Sequence, residues 1–526
     1  MDTPNLNHLL DNRPDLRKYL FPRGFLLTND TNIDITLYPF YNLWNEVGLS
    51  KYRLLIHKKQ KYILYENEKA IFLLIGHAYE PVVSLEHDEH KLLQKFAELY
   101  KDNNHIDYLN LWTGSFVLFV FDNDKIIIYG DPTGMQTVFY GFNDSNFYAS
   151  SHTNLIGDVC NIAQDDYVKE LVNYRFYKLF GKTLPGDISP YQNFKRLVPN
   201  HSITVKQNSI ESNRFFPTDN AKLYNMPYDV LIDKASNILK NSMGIIYKKW
   251  QKPAISLTGG CDSKTTLSCA KDYYDKYQYF SYISQDTEEV DAIAAKQISD
   301  ILGNSHKTYK ISSNDSDFTN VEEFRDILEY NCGSIGTNNS NDIRKRIFFT
   351  SVDDFDVEIK SWVSEVARAY YHKRFAKKKL PQSLSPRYAT SLYKVFINNR
   401  KLVKRTDKIF AEYLNKYYSD GAFDKIPWCD LFFWEFRVGS WNGLVISGEH
   451  QLSYDITIPY NNRELLRLLL STPLECRIKD KPHHDIIKLM NPRIYNCGIS
   501  ITNVKHTVNR AKIERIYLDI SSKLPF

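Results

Sequence analysis

The chain has 526 residues, enough for two or three domains of ordinary size. Its hydrophobic content of 43% and charged content of 25% are those of a soluble globular protein, and 37 Tyr with 30 Phe predict aromatic-rich cores. A formal net charge of +5 is mild for this length and gives no warrant for a nucleic-acid-binding surface.

Up to about residue 215 the chain is strand-rich. The runs Gly24–Thr28, Lys61–Tyr65, Ala70–Ile75, Gly114–Asp122 and Lys125–Tyr129 read as short β segments between turn residues. Asp122-Asn123-Asp124 reads as a hairpin turn. Helical patterning covers His90–Tyr100 and Tyr167–Phe176. Many strands with few helices predict a sandwich-like unit. Near Pro217 the character changes. Val230–Trp250 reads as an amphipathic helix, Ser263–Tyr273 as a second, Tyr279–Ile283 as a strand and Phe355–Ile359 as another. Glu288–Gly303 reads as a helix with Val290, Ile293, Ala294, Ile298 and Ile301 on one buried face and Gly303 as its stop. This alternation predicts a parallel sheet covered by helices on both faces, and from about residue 385 the pattern is mainly helical.

The seven cysteines are widely spaced and form no CxxC pair, which argues against a zinc or redox motif and for reduced thiols in a cytoplasmic protein. No signal-peptide pattern opens the chain, and no apolar run approaches membrane-spanning length. The basic run Lys373–Lys379 reads as a solvated helix face.

The most informative stretch is Ile255-Ser256-Leu257-Thr258-Gly259-Gly260-Cys261-Asp262-Ser263-Lys264. It reads as a buried strand, a Gly-Gly turn and a helix start. Glycines let the backbone approach an anion closely, and the following N–H groups point outward where negative charge is favoured. The candidate nucleotide-binding residues are therefore Ser256, Leu257, Thr258, Gly259, Gly260, Asp262, Ser263 and Lys264. Asp262 is placed to hold Mg²⁺, with Ser263 and Lys264 on phosphate oxygens. A Walker A loop is excluded, because Ser263 and Thr258 stand where that pattern requires glycine. The run resembles the Ser-Gly-Gly-x-Asp-Ser loop of the PP-loop ATP pyrophosphatases, which split ATP into AMP and pyrophosphate.

Scattered patches extend the resemblance over nearly the whole chain. Ile75–Glu80, Leu111–Asp122, Tyr129–Tyr140 and Lys195–His201 resemble segments of the asparagine synthetase family's amidotransferase domain. The Leu257–Ser263 loop, the Asp291–Gly303 helix with His306, and Thr457–Arg463 resemble segments of its synthetase domain in the same order. The resemblance implies a fold of α/β and α+β class. An N-terminal Ntn-type β-sandwich domain, residues 1–215, precedes a PP-loop parallel α/β domain with a helical C-terminal part, residues 220–526.

Three departures limit what carries over. Family glutaminases use an N-terminal Cys exposed by removal of Met1, whereas residue 2 here is Asp and the first Cys is Cys160. The first domain is therefore expected to be a scaffold without glutaminase activity, with Glu80, Asp88 and Asp131 structural. The family's pyrophosphate-contacting Ser-Gly-Glu-Gly-x-Asp-Glu loop corresponds to Lys360–Glu365, which keeps Glu365 but has Ser364 at the Asp position. Asp262 and Glu365 are the implied metal ligands, and Arg368 either binds phosphate directly or makes a salt bridge. The family's late catalytic Lys corresponds to Lys481 or, closer in register, His484. His483 and His484 are adjacent on a helix and so diverge, which argues against a shared metal.

The resemblance implies that ATP, with Mg²⁺, activates a small-molecule or peptide carboxylate as an acyl-adenylate, which an amine then converts to an amide. Without a glutaminase the amine comes on a substrate, as in β-lactam synthetase and the lasso-peptide cyclases, or as ammonia. No nucleic-acid or membrane partner is expected, and a homodimer is compatible with the sequence. The alternatives are a catalytically dead scaffold and, more remotely, a PP-loop tRNA-modifying enzyme.

Overall fold

The computed structural model describes residues 3–175, 177, 183–333, 340–393, 399–448, 450–499 and 504–524. A helix (Thr3–Asn12) and a short 3₁₀ turn (Pro14–Tyr19) precede the first strand. Twelve strands then build two antiparallel sheets: β1 (Phe25–Thr28), β2 (Trp44–Leu49), β3 (Tyr52–His57), β4 (Tyr62–Glu66), β5 (Ile71–Tyr79), β6 (Thr113–Asp122), β7 (Lys125–Gly130), β8 (Phe139–Asn143), β9 (Asn146–Ser150), β10 (Phe194–Arg196), β11 (His201–Lys206) and β12 (Ser209–Arg214). One sheet has the order β10-β8-β9-β1-β3-β2 and the other β12-β11-β7-β6-β5-β4. Their inner faces share one apolar core, in which Phe25, Leu27, Leu54 and Ile56 meet Leu73, Ile75, Val117 and Phe119. Each outer face is closed by helix. Phe96 of the helix Glu89–Lys101 packs edge-on against Phe72, and Leu155 and Ile156 of the helix Thr153–Cys160 join Leu26 and Leu55. Burial on both sides explains why every residue of β6 is buried and why its apolar run does not alternate.

The rest of the chain carries a five-stranded parallel sheet: β13 (Pro253–Ser256), β14 (Gln278–Ile283), β15 (Lys307–Lys310), β16 (Val357–Ile359) and β17 (Asp455–Thr457), in the order β15-β14-β13-β16-β17. The chain leaves β13 toward β14 and β15 and later returns on its other side as β16 and β17. The strand order therefore reverses at β13, and the crevice at its carboxyl end is where ligands of such sheets sit.

Most expected elements form close to their expected bounds. The Val230–Trp250 expectation becomes the helix Tyr228–Lys249, and Ser263–Tyr273 becomes the helix Cys261–Cys269 followed by a 3₁₀ segment, Lys271–Lys276. The helix Asp286–Leu302 stops at Gly303, whose φ of 77° is the left-handed cap. Its buried face differs from expectation. Ala294 and Ile298 are buried, but Val290 and Ile293 are 57% and 52% exposed, and Ala292, Ala295 and Ser299 take the inner face. Small side chains let this crossover helix lie close on the sheet. The three-residue β17 has no periodic signal and was not anticipated.

A buried polar seam joins the antiparallel sheets to the parallel one. Asn461, Asn462 and Arg463, just beyond β17, have no exposed surface. The Asn461 amide donates to the Gly114 carbonyl (2.6 Å) and to Asp131 (2.9 Å), and that of Asn462 to the Leu111 carbonyl (2.7 Å). Arg463 donates to the Asn200 side chain (2.9 Å) and the Gly130 carbonyl (3.0 Å). The Asn200 amide donates to Glu435 (3.1 Å), which also receives Arg214 (2.5 Å). Among the described residues no helix is long and apolar enough to cross a membrane.

Removing Arg214 leaves the Glu435 carboxylate buried without its cation. Arg214→Met is expected to lower the unfolding free energy by roughly 3–5 kcal/mol, and adding Glu435→Gln to restore part of the loss. Urea unfolding midpoints check both, and an unchanged Arg214→Met midpoint refutes the seam's structural role.

Candidate nucleotide site

The Gly-Gly loop lies at the carboxyl end of β13, and Gly260 is the N-cap of the helix Cys261–Cys269. The first amides of a helix have no intrahelical acceptor, so those of Cys261, Asp262 and Ser263 form the anion-binding end. Leu257 anchors the loop: its N–H donates to Phe280 in β14 (2.8 Å), and its carbonyl accepts the Ser281 hydroxyl (2.7 Å). His306, singled out beside the Asp291 helix, shares that hydroxyl at 3.0 Å.

The candidate side chains divide into those that hold the loop and those that face across it. The Ser263 hydroxyl donates to the Thr258 carbonyl (2.8 Å), and the Gly260 N–H donates to the Thr258 hydroxyl (3.2 Å). Gly259 N–H donates to Asp291 (3.1 Å). The Ser256 hydroxyl contacts the Ile359 carbonyl of β16 at 3.4 Å. Lys264 is buried, and its ammonium donates to the Ile499 carbonyl (2.9 Å), so it ties the helix to the C-terminal part rather than reaching over the loop.

Facing the helix end is the segment after β16. Val363 and Ala369 both adopt left-handed backbone, with φ of 76° and 52°, and bracket the 3₁₀ turn Ser364–Ala367 and Arg368. A β-branched residue at that φ is costly and persists only where its surroundings fix it; Val363 has no exposed surface. The result is a closed charge network. Ser364 Oγ donates to Asp262 Oδ1 (2.6 Å), and Arg368 Nη1 donates to Asp262 Oδ2 (2.5 Å). The other edge of the Arg368 fork grips Asp480, with Nε at 2.7 Å and Nη2 at 3.0 Å, and Lys373 ion-pairs with the same carboxylate. Burial opposes charge on these groups, but Asp480 and Asp262 hold the Arg368 guanidinium above its ordinary value. Likewise Arg368 and Lys373 override burial and keep Asp480 down at about 2. Burial, and then the charge of Asp262, push Glu365 up.

The structure thus brings Asp262, Glu365 and Arg368 together, as the sequence analysis anticipated, and leaves Lys481 out. Lys481 pairs with Asp485 in its own helix (Lys481–Met490) and lies over the Tyr228 ring at 4.4 Å; His484 is exposed. The histidine that faces the loop is His483. It is 1% exposed, stacks on Tyr460 at 5.9 Å, and puts Nε2 at 3.9 Å from Asp262 Oδ1. His483, Ile486 and Ile487 share the buried face of that helix, while Lys481, His484 and Lys488 lie outward. That spacing was readable in the sequence, and only register matching favoured the neighbours. Asp480 and Lys373 were also missed as site residues.

The basic run is a solvated face only in part: Lys378 and Lys379 are exposed, but its three other basic side chains are paired. Lys373 meets Asp480, Arg374 meets Glu514 (2.9 Å), and Lys377 meets Asp519. These acidic partners come from distant C-terminal helices, which one-dimensional patterning cannot supply. Arg368, Lys373 and Arg374, with Glu365, Tyr370, Ala511 and Glu514, line a cavity of about 560 Å³ beside the network.

The donor set does not fit a divalent cation on Asp262. Magnesium binds through one or two carboxylates together with phosphate oxygens. Both oxygens of Asp262 are already engaged, one of them by a guanidinium. A dication there would have to displace the guanidinium from the carboxylate. Among the described residues no group of three or more His, Cys, Asp or Glu side chains could hold a metal ion.

Distant likenesses can be set beside this geometry. No family model matches the chain. Over 195 residues it is 23% identical to asparagine synthetase [glutamine-hydrolyzing] 1 of Bacillus subtilis (strain 168). The match spans 36% of this chain and 30% of that protein. Among solved structures, one similar chain is glutamine phosphoribosylpyrophosphate amidotransferase from B. subtilis complexed with ADP and GMP, at a TM-score of 0.23 and 10% identity, over 81% of this chain and 94% of that one. Another is glutamine-dependent NAD+ synthetase from Acinetobacter baumannii in complex with ADP, at a TM-score of 0.18 and 15% identity, over 32% and 33%. Superpositions this loose assign neither a fold nor an activity.

The carboxylates expected to be structural in the first half are so. Glu80 accepts the N–H groups of Val82, Val83 (2.8 Å) and Ser84, Asp88 caps the helix Glu89–Lys101, and Asp131 receives turn amides and Asn461. Met1 and Asp2 lie outside the described residues.

Burial lowers His483 to about 4, and also lowers His57 to about 4 and His77 to about 3, from an ordinary value of 6.5. Between those values and 6.5 the unfolded chain binds protons that the native state refuses, so stability rises with pH through that window and levels off above it. His483→Phe keeps the stack on Tyr460 and removes one such group. Between pH 7.5 and pH 5 it is expected to lose about 2 kcal/mol less stability than the wild type. Urea unfolding at the two pH values checks this, and equal losses refute it.

Proposed function

We propose that this protein is an ATP-dependent amide-forming ligase that adenylates a substrate carboxylate and passes the acyl group to an amine. The observation that carries the reading is the Gly-Gly turn at the carboxyl end of the central parallel strand, which opens directly into a helix whose first amides are presented as an anion cradle. The partial likeness to an asparagine synthetase supports the same class of chemistry. In the first step a carboxylate oxygen attacks the α-phosphorus of ATP, the bond from that phosphorus to the β-phosphate bridging oxygen breaks, and pyrophosphate leaves. In the second the amine nitrogen attacks the acyl carbon, AMP leaves and the nitrogen gives up a proton.

The chain's own residues have separable tasks. The amides of Cys261, Asp262 and Ser263 hold phosphate oxygens. Arg368 and Lys373 offset the carboxylates of Asp262 and Asp480, so that the departing pyrophosphate meets no net negative charge from these side chains. The adjoining cavity holds the acyl substrate beside Arg368. His483, uncharged at neutral pH, is a positioning residue behind Asp262. The first half acts as a scaffold, and the nitrogen arrives as a substrate amine. Domain limits of 1–215 and 220–526, a cytoplasmic location and a homodimer belong to the same proposal.

Gly260→Asp tests the nucleotide site directly. Gly260 has an ordinary φ of −69°, and an added Cβ meets only the Thr258 hydroxyl at 3.2 Å. An Asp at the N-cap position caps the helix with its own carboxylate and competes for the same amides. The variant is expected to melt no lower than the wild type and to bind ATP at least about 10-fold more weakly by calorimetry. ATP affinity equal to the wild type's removes the loop from nucleotide binding. With ATP and candidate carboxylates and amines, equal amounts of AMP, pyrophosphate and amide are expected, and glutamine alone is expected to yield no glutamate. Nucleotide binding with no turnover on any candidate pair favours the scaffold reading, to which Ser364 and the engaged Asp262 already lend weight.

A further inference from the structure

We propose that Arg368 is the built-in cation of this phosphate site, so that nucleotide binds without a divalent metal on Asp262. The inference rests on the nucleotide reading above and specifies how the site meets the phosphates.

Asp262 stands in the first turn of the helix whose amides receive the anion, so an uncompensated carboxylate there repels phosphate. Its partner in this chain is a guanidinium at 2.5 Å. The position is fixed rather than incidental. Arg368 rides on a turn bracketed by the left-handed Val363 and Ala369, and its Nε and Nη2 are clamped by Asp480, itself in left-handed backbone with φ of 56°. Three N–H groups of the fork serve the two carboxylates, and the second hydrogen on each terminal nitrogen remains for an incoming oxygen. The other groups facing Arg368 are accounted for: Lys373 shares Asp480, Glu365 is pushed toward its neutral form, and His483 is held neutral. Arg368 and Lys373 together cancel Asp262 and Asp480, which leaves the helix amides unopposed. Ser364 fits the same scheme, because it donates a hydrogen bond to Asp262 where a second carboxylate would add negative charge. A guanidinium fork also matches the spacing of phosphate oxygens and stays charged at any working pH.

The test is calorimetric titration of the full chain with ATP, once in excess EDTA and once in excess MgCl₂. The wild type is expected to bind in both buffers, with affinities within about 3-fold of each other. Arg368→Gln is expected to lose at least about 30-fold in EDTA and to recover most of that in MgCl₂, where a metal reaches the released Asp262. Arg368→Lys, which keeps the charge and loses the fork, is expected to fall between them in EDTA. Thermal melting establishes that each variant is folded, and Arg368→Lys carries the test if Arg368→Gln is not. Wild-type binding that is about 10-fold or more weaker in EDTA overturns the proposal and leaves the nucleotide reading standing, as does Arg368→Gln matching the wild type in EDTA. Wild-type binding in neither buffer overturns both.

Discussion

Asn461, Asn462 and Arg463 carry no exposed surface, yet each donates side-chain hydrogen bonds to the other half of the molecule. Buried amides and guanidinium groups are costly unless every donor finds an acceptor, so a seam of this kind tolerates few alternative alignments. Its acceptors are the carbonyls of Leu111, Gly114 and Gly130 and the side chains of Asp131 and Asn200, all belonging to the antiparallel sheets or their turns. Because the three residues lie within six positions of the end of β17, the seam fixes the edge of the parallel sheet against the sandwich. Asp455 in β17 strengthens the same junction through Arg23 and Lys61.

The candidate site inherits its geometry from that frame. β13 sits at the middle of the parallel sheet and ends in the Gly-Gly loop. β16, beside it, ends in the turn that carries Ser364, Glu365 and Arg368. Neither element holds the site alone. Asp262 comes from the first, its two hydrogen-bond donors from the second, and Asp480 and His483 from the start of the helix Lys481–Met490 much further along the chain. Four charged side chains lock at hydrogen-bond distance only because three separate segments converge, and this convergence is what supports reading the loop as an anion site rather than an ordinary strand-to-helix turn.

The first half presents a different balance. Two of its buried carboxylates are occupied by backbone amides: Glu80 holds the turn after β5, and Asp131 the turn after β7. Such bonds stabilise the turns they close. The first strand begins at Phe25 behind a helix and a 3₁₀ turn, so the sandwich is entered by a helical lead. The two sheets and their covering helices form a large, well-packed unit that supports the seam.

The amino-acid sequence by itself determined the elements whose signals are local. The long apolar runs of β5 and β6, the amphipathic helix after Tyr228, the Gly303 stop and the strand–Gly-Gly–helix loop are legible because side-chain periodicity, glycine freedom and helix-end chemistry act over a few residues. It also brought Asp262, Glu365 and Arg368 forward as a group, through the resemblance of two short segments. Only the tertiary structure decided what those groups do to one another. It placed a guanidinium on the expected metal ligand, turned His483 inward in place of Lys481, and drew the basic run against Asp480, Glu514 and Asp519. It also made strand neighbours of β16 and the three-residue β17. The physical reason is the same in each case: charge pairing and short-strand pairing depend on distances between residues far apart in the chain, and those distances are set by how the sheets dock.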